Sequence, residues 1–128
     1  MHFIYYNLIS LSILGYGFFI NNILNINSKN FGIIGFIGIF FLILISYSSS
    51  LFIAHGYYFN LAIIITGVLL FLYSLNNISF AKKDLLIFFL VFLLLFLFIL
   101  VGKNHDDFPY YHFPYIHLLT QDSHPFGL

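Results

Sequence analysis

Cysteine and tryptophan are both absent from this chain, and only 6% of its residues are charged. The first absence excludes disulfides and thiolate chemistry. The scarcity of charge excludes more. A water-soluble domain is ordinarily about a quarter charged, and a short chain, with much surface for its volume, needs that polar exterior most. Neither sign is in excess, since the formal net charge is zero, so nothing electrostatic argues for a nucleic-acid partner. What fills the chain instead is apolar: 62% of its 128 residues are hydrophobic, and the mean hydropathy is +1.03. Only lipid accepts an exterior as apolar as the interior. The reading is an all-α, polytopic transmembrane helix bundle whose first partner is membrane lipid. Phe, Ile, Asn and Tyr share AT-rich codons, so the 19 phenylalanines are read as composition rather than as a functional signal.

Four spans account for residues 1–102. The strongest is Leu85 to Val101, every residue of which is Leu, Ile, Phe or Val. Insertion of such a run is favourable by roughly 5 to 10 kcal/mol, and with Gly102 it covers most of a core about 30 Å thick. Residues 31–75 contain no Asp, Glu, Lys or Arg. That stretch is too long for one span and suits two, at about 32–53 and 58–75, joined near Ala54-His55-Gly56-Tyr57. The first span, about 3–24, is interrupted by Asn7, Ser10, Ser12 and two glycines. It lacks a basic leader and a small-residue cleavage site, which favours a retained helix over a signal peptide.

Four spans put Lys29, Lys82 and Lys83 on one side and Lys103 on the other, so the first side is read as cytoplasmic. Residues 103–128 then form an extracytoplasmic amphipathic segment. All six histidines and the pairs Tyr5/Tyr6, Tyr57/Tyr58 and Tyr110/Tyr111 fall on that outer side, as expected of rings seated at the membrane–water boundary. The sequon Asn77-Ile78-Ser79 falls inside and is read as chance. Ser46, Ser50 and Ala54 recur every four residues, and Gly32, Gly35 and Gly38 every three. Such stripes let backbones approach closely, either within the bundle or between copies.

Chemistry concentrates in the last segment. It holds His105, Asp106, Asp107, His112, His117, Asp122 and His124 just beyond the strongest span. Asp106 or Asp107 can cap a short helix over residues 108–119, with Pro109 in its first turn. Tyr110, Phe113 and His117 would then share one face, and Tyr111, Tyr115 and Leu118 another. Adjacent carboxylates repel each other and resist desolvation. They suit a general base, or, with His105, oxygen and imidazole ligands for Mn²⁺ or a similar divalent ion. The plain alternative is a solvated loop with a helix cap. The histidine spacings match no zinc signature.

The string Asn104-His105-Asp106-Asp107-Phe108-Pro109-Tyr110-Tyr111-His112-Phe113-Pro114 resembles the first extracytoplasmic loop of multispanning GT-C type membrane glycosyltransferases, especially bacterial members with a His-Asp-Asp…Tyr-His-x-Pro signature. The resemblance implies Asp106 and Asp107 as catalytic base candidates. It implies His105, His112, Tyr110 and Tyr111 as substrate contacts, a polyprenyl-phosphate-linked sugar as donor, and the bacterial inner membrane as location. Many of the family's enzymes have this loop after their first helix, whereas here three more helices come before it, and the family's enzymes have many more spans. The expectation is therefore an N-terminal fragment, inactive alone. The alternatives are a small structural or assembly membrane protein without catalysis and, third, a transporter subunit, against which stands the lack of charge within the expected spans.

Overall fold

The computed structural model describes residues 2–75, 82–101, 106 and 108–122. Every described element is helical. Four helices, α1 (His2–Ile23), α2 (Phe31–Ser50), α3 (Tyr57–Leu75) and α4 (Lys82–Val101), are each long and apolar enough to cross a bilayer. After them a π-helical turn over Phe108–His112 runs into a short helix, α5 (Phe113–Gln121). The chain is an all-α integral membrane protein.

The polar interruptions of α1 mark the centre of the bundle. Its main neighbours are α3 and α2, and both come close because glycines line the contacts. A Cβ on Gly67 would strike Ser12, and one on Gly15 would strike the Gly67 carbonyl. On the other flank, a Cβ on Gly38 would strike the Ile13 carbonyl, and one on Gly17 the Ile34 carbonyl. In lipid no hydrophobic force drives helices together, so this close van der Waals approach is what joins them. Of the Gly32/Gly35/Gly38 stripe, Gly38 and Gly35 face α1, and Gly32 does not. Hydroxyls add to the contacts. Tyr16 donates to the Ile63 carbonyl at 3.0 Å and Tyr6 to the Phe92 carbonyl at 2.8 Å.

One ring cluster ties the four spans. Phe18 of α1, almost fully buried, meets Phe31 of α2 edge-on and Phe71 of α3 at a tilt, with centroids 6.1 and 6.2 Å away. Phe31 in turn stacks on Phe88 of α4 at 4.8 Å. These four phenylalanines therefore do packing work, at spacings typical of aromatic pairs. Elsewhere α4 stands off and is reached through long side chains such as Tyr6, which meets the Phe92 and Phe96 rings. None of its residues is buried.

Asparagines build the α1–α2 turn. Asn25 adopts a positive φ of 52° just past α1, a conformation asparagine tolerates better than most side chains. The Ile26 N–H then reaches the Asn21 carbonyl and the Asn25 N–H the Asn22 carbonyl. Those are the two bonds of a Schellman stop. The Asn21 amide clamps Ser28 from both sides, donating to its carbonyl and accepting from its N–H. The Asn30 side chain caps α2 by accepting from the Gly32 and Ile33 N–H groups.

Two boundaries differ from the sequence expectation. Helix α2 stops at Ser50 rather than residue 53, because the Ser49 and Ser50 hydroxyls turn back onto the Ile45 and Tyr47 carbonyls while the Phe52 and Ile53 N–H groups close on Ser49. Ala54 thus leaves the Ser46/Ser50 stripe. Helix α4 begins at Lys82 rather than 85, since charged residues are at home in an exposed first turn and Asp84 complements the helix dipole there. The sequon at 77–79 lies outside the described residues.

Candidate functional site

One end of the bundle is organised by His55 in the α2–α3 turn. Its backbone N–H donates to the Leu119 carbonyl of α5 at 2.8 Å, and its carbonyl accepts from the Asn60 side-chain amide at 2.7 Å. The residue is 8% exposed. It stacks on Phe59 with centroids 4.6 Å apart and lies 2.9 Å from Ser49 Oγ through Nε2 and 3.5 Å from Ser46 Oγ through Nδ1. The Ser49 hydroxyl also has the Ile45 and Ser46 carbonyls within reach, at 2.7 and 3.2 Å, so hydroxyls and carbonyls at the end of α2 surround the ring. Burial disfavours the charged ring and lowers its pKa from the ordinary value. The sequence marks His55 as a turn residue; nothing in its spacing reveals that it also docks the last helix.

Through that bond the surface segment folds back over the α2–α3 turn. Gly56 lies below it, where a Cβ would sit 3.6 Å from the Thr120 carbonyl. Rather than one α-helix over 108–119, the segment opens with a π-turn and continues as α5 with Pro114 near its start. A proline there has no N–H to close the regular ladder, so the backbone widens ahead of it. Phe113 and His117 stack one turn apart at 6.1 Å, as residues i and i+4 on one face should. The His117 ring accepts from the Gln121 amide at 3.1 Å.

The candidate residues distribute as follows. Asp106 is an exposed turn residue that lies in the chain between α4 and the π-turn. Tyr110 and Tyr111 lie in the π-turn, 75% and 72% exposed, and His112 closes it, also exposed. His105 and Asp107 lie outside the described residues. Among the described residues no group of three His, Cys, Asp or Glu side chains could hold a metal ion, and the divalent-ion reading needs both His105 and Asp107. What the geometry presents is a carboxylate open to water beside an exposed aromatic strip. The carboxylate can accept a proton, and the rings can cover the apolar face of a sugar or sit in the headgroup layer.

A family model described as a domain of unknown function, DUF8201, matches residues 1–122, and so takes in all four spans and the surface segment. No curated protein and no solved structure matches the chain.

Proposed function

Given that this chain belongs to the DUF8201 family, we propose from its own geometry that it forms the membrane-embedded part of a glycosyltransferase drawing on a polyprenyl-phosphate-linked sugar. In this reading the outer face is extracytoplasmic and the membrane is a bacterial inner membrane. The observation that carries it is the docking of α5 on the His55 turn, which brings the helix that follows Asp106 in the chain to the α2–α3 end of the bundle. The resemblance of residues 104–114 to glycosyltransferase loops supplies the chemistry. Asp106 or Asp107 takes the proton of an acceptor hydroxyl. That oxygen bonds to the anomeric carbon, the carbon–oxygen bond to the carrier breaks, and polyprenyl phosphate leaves with the electron pair. His105 and His112 contact the phosphate, and Tyr110 and Tyr111 contact the sugar.

The test is transfer of labelled sugar from polyprenyl-phosphate carriers in membranes expressing the protein at its natural length. Asp106→Asn and Asp107→Asn are each introduced and membrane insertion is checked. Loss of the general base lowers transfer by about 10²- to 10⁴-fold. Full transfer by both variants overturns the catalytic reading.

One observation favours a second reading, an assembly protein without catalysis. No residue of α4 is buried within the chain, which leaves a whole span for other helices. Crosslinking along α4 that captures a discrete partner, together with indifference to both aspartate substitutions, selects this reading.

A further inference from the structure

A half-open cavity of about 680 Å³ lies between α1, α2 and α4, within the range of roughly 300–1,000 Å³ usual for small-molecule sites. It exists because α4 stands off from α2, and because Gly32 and Gly35 put no side chains on the α2 wall. Its walls are uneven in polarity. Phe36, Ile39, Val91 and Leu95 make an apolar lining, whereas Lys29 and Asp84 stand at one end. Lys29 sits in the asparagine-tied turn, between Ser28, which Asn21 clamps, and the cap residue Asn30. Asp84 sits in the first turn of α4. Both are exposed, and among the described residues no ion pair joins them.

An apolar trough ending in one positive and one negative group is complementary to a molecule with apolar chains and a headgroup of both signs. We propose that the groove binds one bilayer phospholipid with a zwitterionic, amine-bearing headgroup. Its phosphate faces Lys29, its ammonium faces Asp84, and an acyl chain lies along Phe36, Ile39, Val91 and Leu95. The groove is open on one side, so such a lipid enters from the bilayer without crossing water. A purely anionic headgroup satisfies Lys29 but is repelled by Asp84. A polyprenyl phosphate has the same defect. Asp84 stands in the first turn of α4 and Asp106 comes after its last residue, Val101, so this site is separate from the proposed transfer site and stands without it.

Native mass spectrometry of the full chain in mild detergent tests the proposal, with dioleoyl phosphatidylethanolamine and dioleoyl phosphatidylglycerol in direct competition. The wild-type chain retains the ethanolamine lipid over the glycerol lipid by about fivefold, the scale of one surface charge contact. Asp84→Asn removes the preference while occupancy persists. Lys29→Gln lowers retention of both lipids by about fivefold. Gly35→Leu fills the trough and lowers occupancy of both, with helix content unchanged by circular dichroism. Equal retention by the wild type, a preference that survives Asp84→Asn, or occupancy indifferent to Gly35→Leu each overturns it. Lys29 and Asp84 are exposed, so their variants test the mouth without endangering the fold.

Discussion

The His55 N–H and the Leu119 carbonyl, 2.8 Å apart, join the α2–α3 turn to the surface helix. A hydrogen bond cannot span a bilayer, so both segments emerge on one side. Because the chain has no native cysteine, single-cysteine labelling reads this without background. Tyr57→Cys and Tyr111→Cys, at well-exposed positions, react with a membrane-impermeant maleimide from the same side, and Lys29→Cys from the other. Opposite labelling of positions 57 and 111 means the helix count is wrong.

The same bond separates two substitutions of one residue. His55→Pro deletes the donor, whereas His55→Ala keeps it and removes only the ring. Such a bond contributes about 0.5–1.5 kcal/mol. His55→Pro therefore speeds amide exchange across α5 about fivefold, beyond whatever His55→Ala does. Equal exchange in the two variants would mean that the backbone contact does not hold α5.

The packing of the His55 turn also depends on pH. Burial lowers the His55 pKa below its ordinary 6.5, so a ring freed from its place against Ser46, Ser49 and Phe59 binds a proton more readily than the packed one. The sign follows from linkage. The packed turn, and with it the N–H that holds α5, is fully stable above about pH 6.5 and weakens as the pH falls from there through the depressed value. Among the described residues no other titratable side chain is hydrogen-bonded to the ring, whose neighbours are Ser46, Ser49 and Phe59. Protection factors in α5, which remove the intrinsic pH dependence of amide exchange, fall on acidification in the wild type and stay flat in His55→Ala. A flat wild-type profile refutes the linkage.

Two glycines of α2 respond differently to a single methyl group. In Gly38→Ala the new Cβ strikes the Ile13 carbonyl and lies 3.0 Å from the Gly17 nitrogen. These are backbone atoms that cannot turn aside, so the cost is about 1–3 kcal/mol. In Gly35→Ala the Cβ meets only Leu14 Cδ2 at 3.9 Å, ordinary contact, and the helix gains about 0.5–1 kcal/mol from losing a glycine. Unfolding midpoints in detergent should move in opposite directions, and a shared direction would remove α1–α2 close packing as the basis of the bundle.

The spans were legible in the sequence because lipid tolerates little ambiguity: a run such as residues 85–101 has no other stable environment. The π-turn, the end of α2 and the start of α4 were less so. Helix ends depend on which hydroxyl or N–H closes the last turn, as Ser49 shows, and apolar Leu51, Phe52 and Ile53 gave no sign of a stop. Ser12, Gly15 and Gly17 weakened α1 as a hydrophobic segment, yet they are where α2 and α3 touch it. Hydropathy sums over residues and so discards the face on which each one lies. Of the candidate site, the aspartates and tyrosines could be picked out from composition and resemblance. The role of His55 could not, because it acts through a backbone donor toward a residue distant in the chain.

The central place of α1 has a consequence for biogenesis. Of the four described spans it leaves the ribosome ahead of the others, carrying Ser12 and Tyr16 toward lipid that offers no acceptor. The carbonyl that takes the Tyr16 proton, Ile63, belongs to α3 and enters the membrane only after the whole of α2. Until then the newborn helix has an unsatisfied polar flank, which suits it to linger beside the insertion machinery or a chaperone.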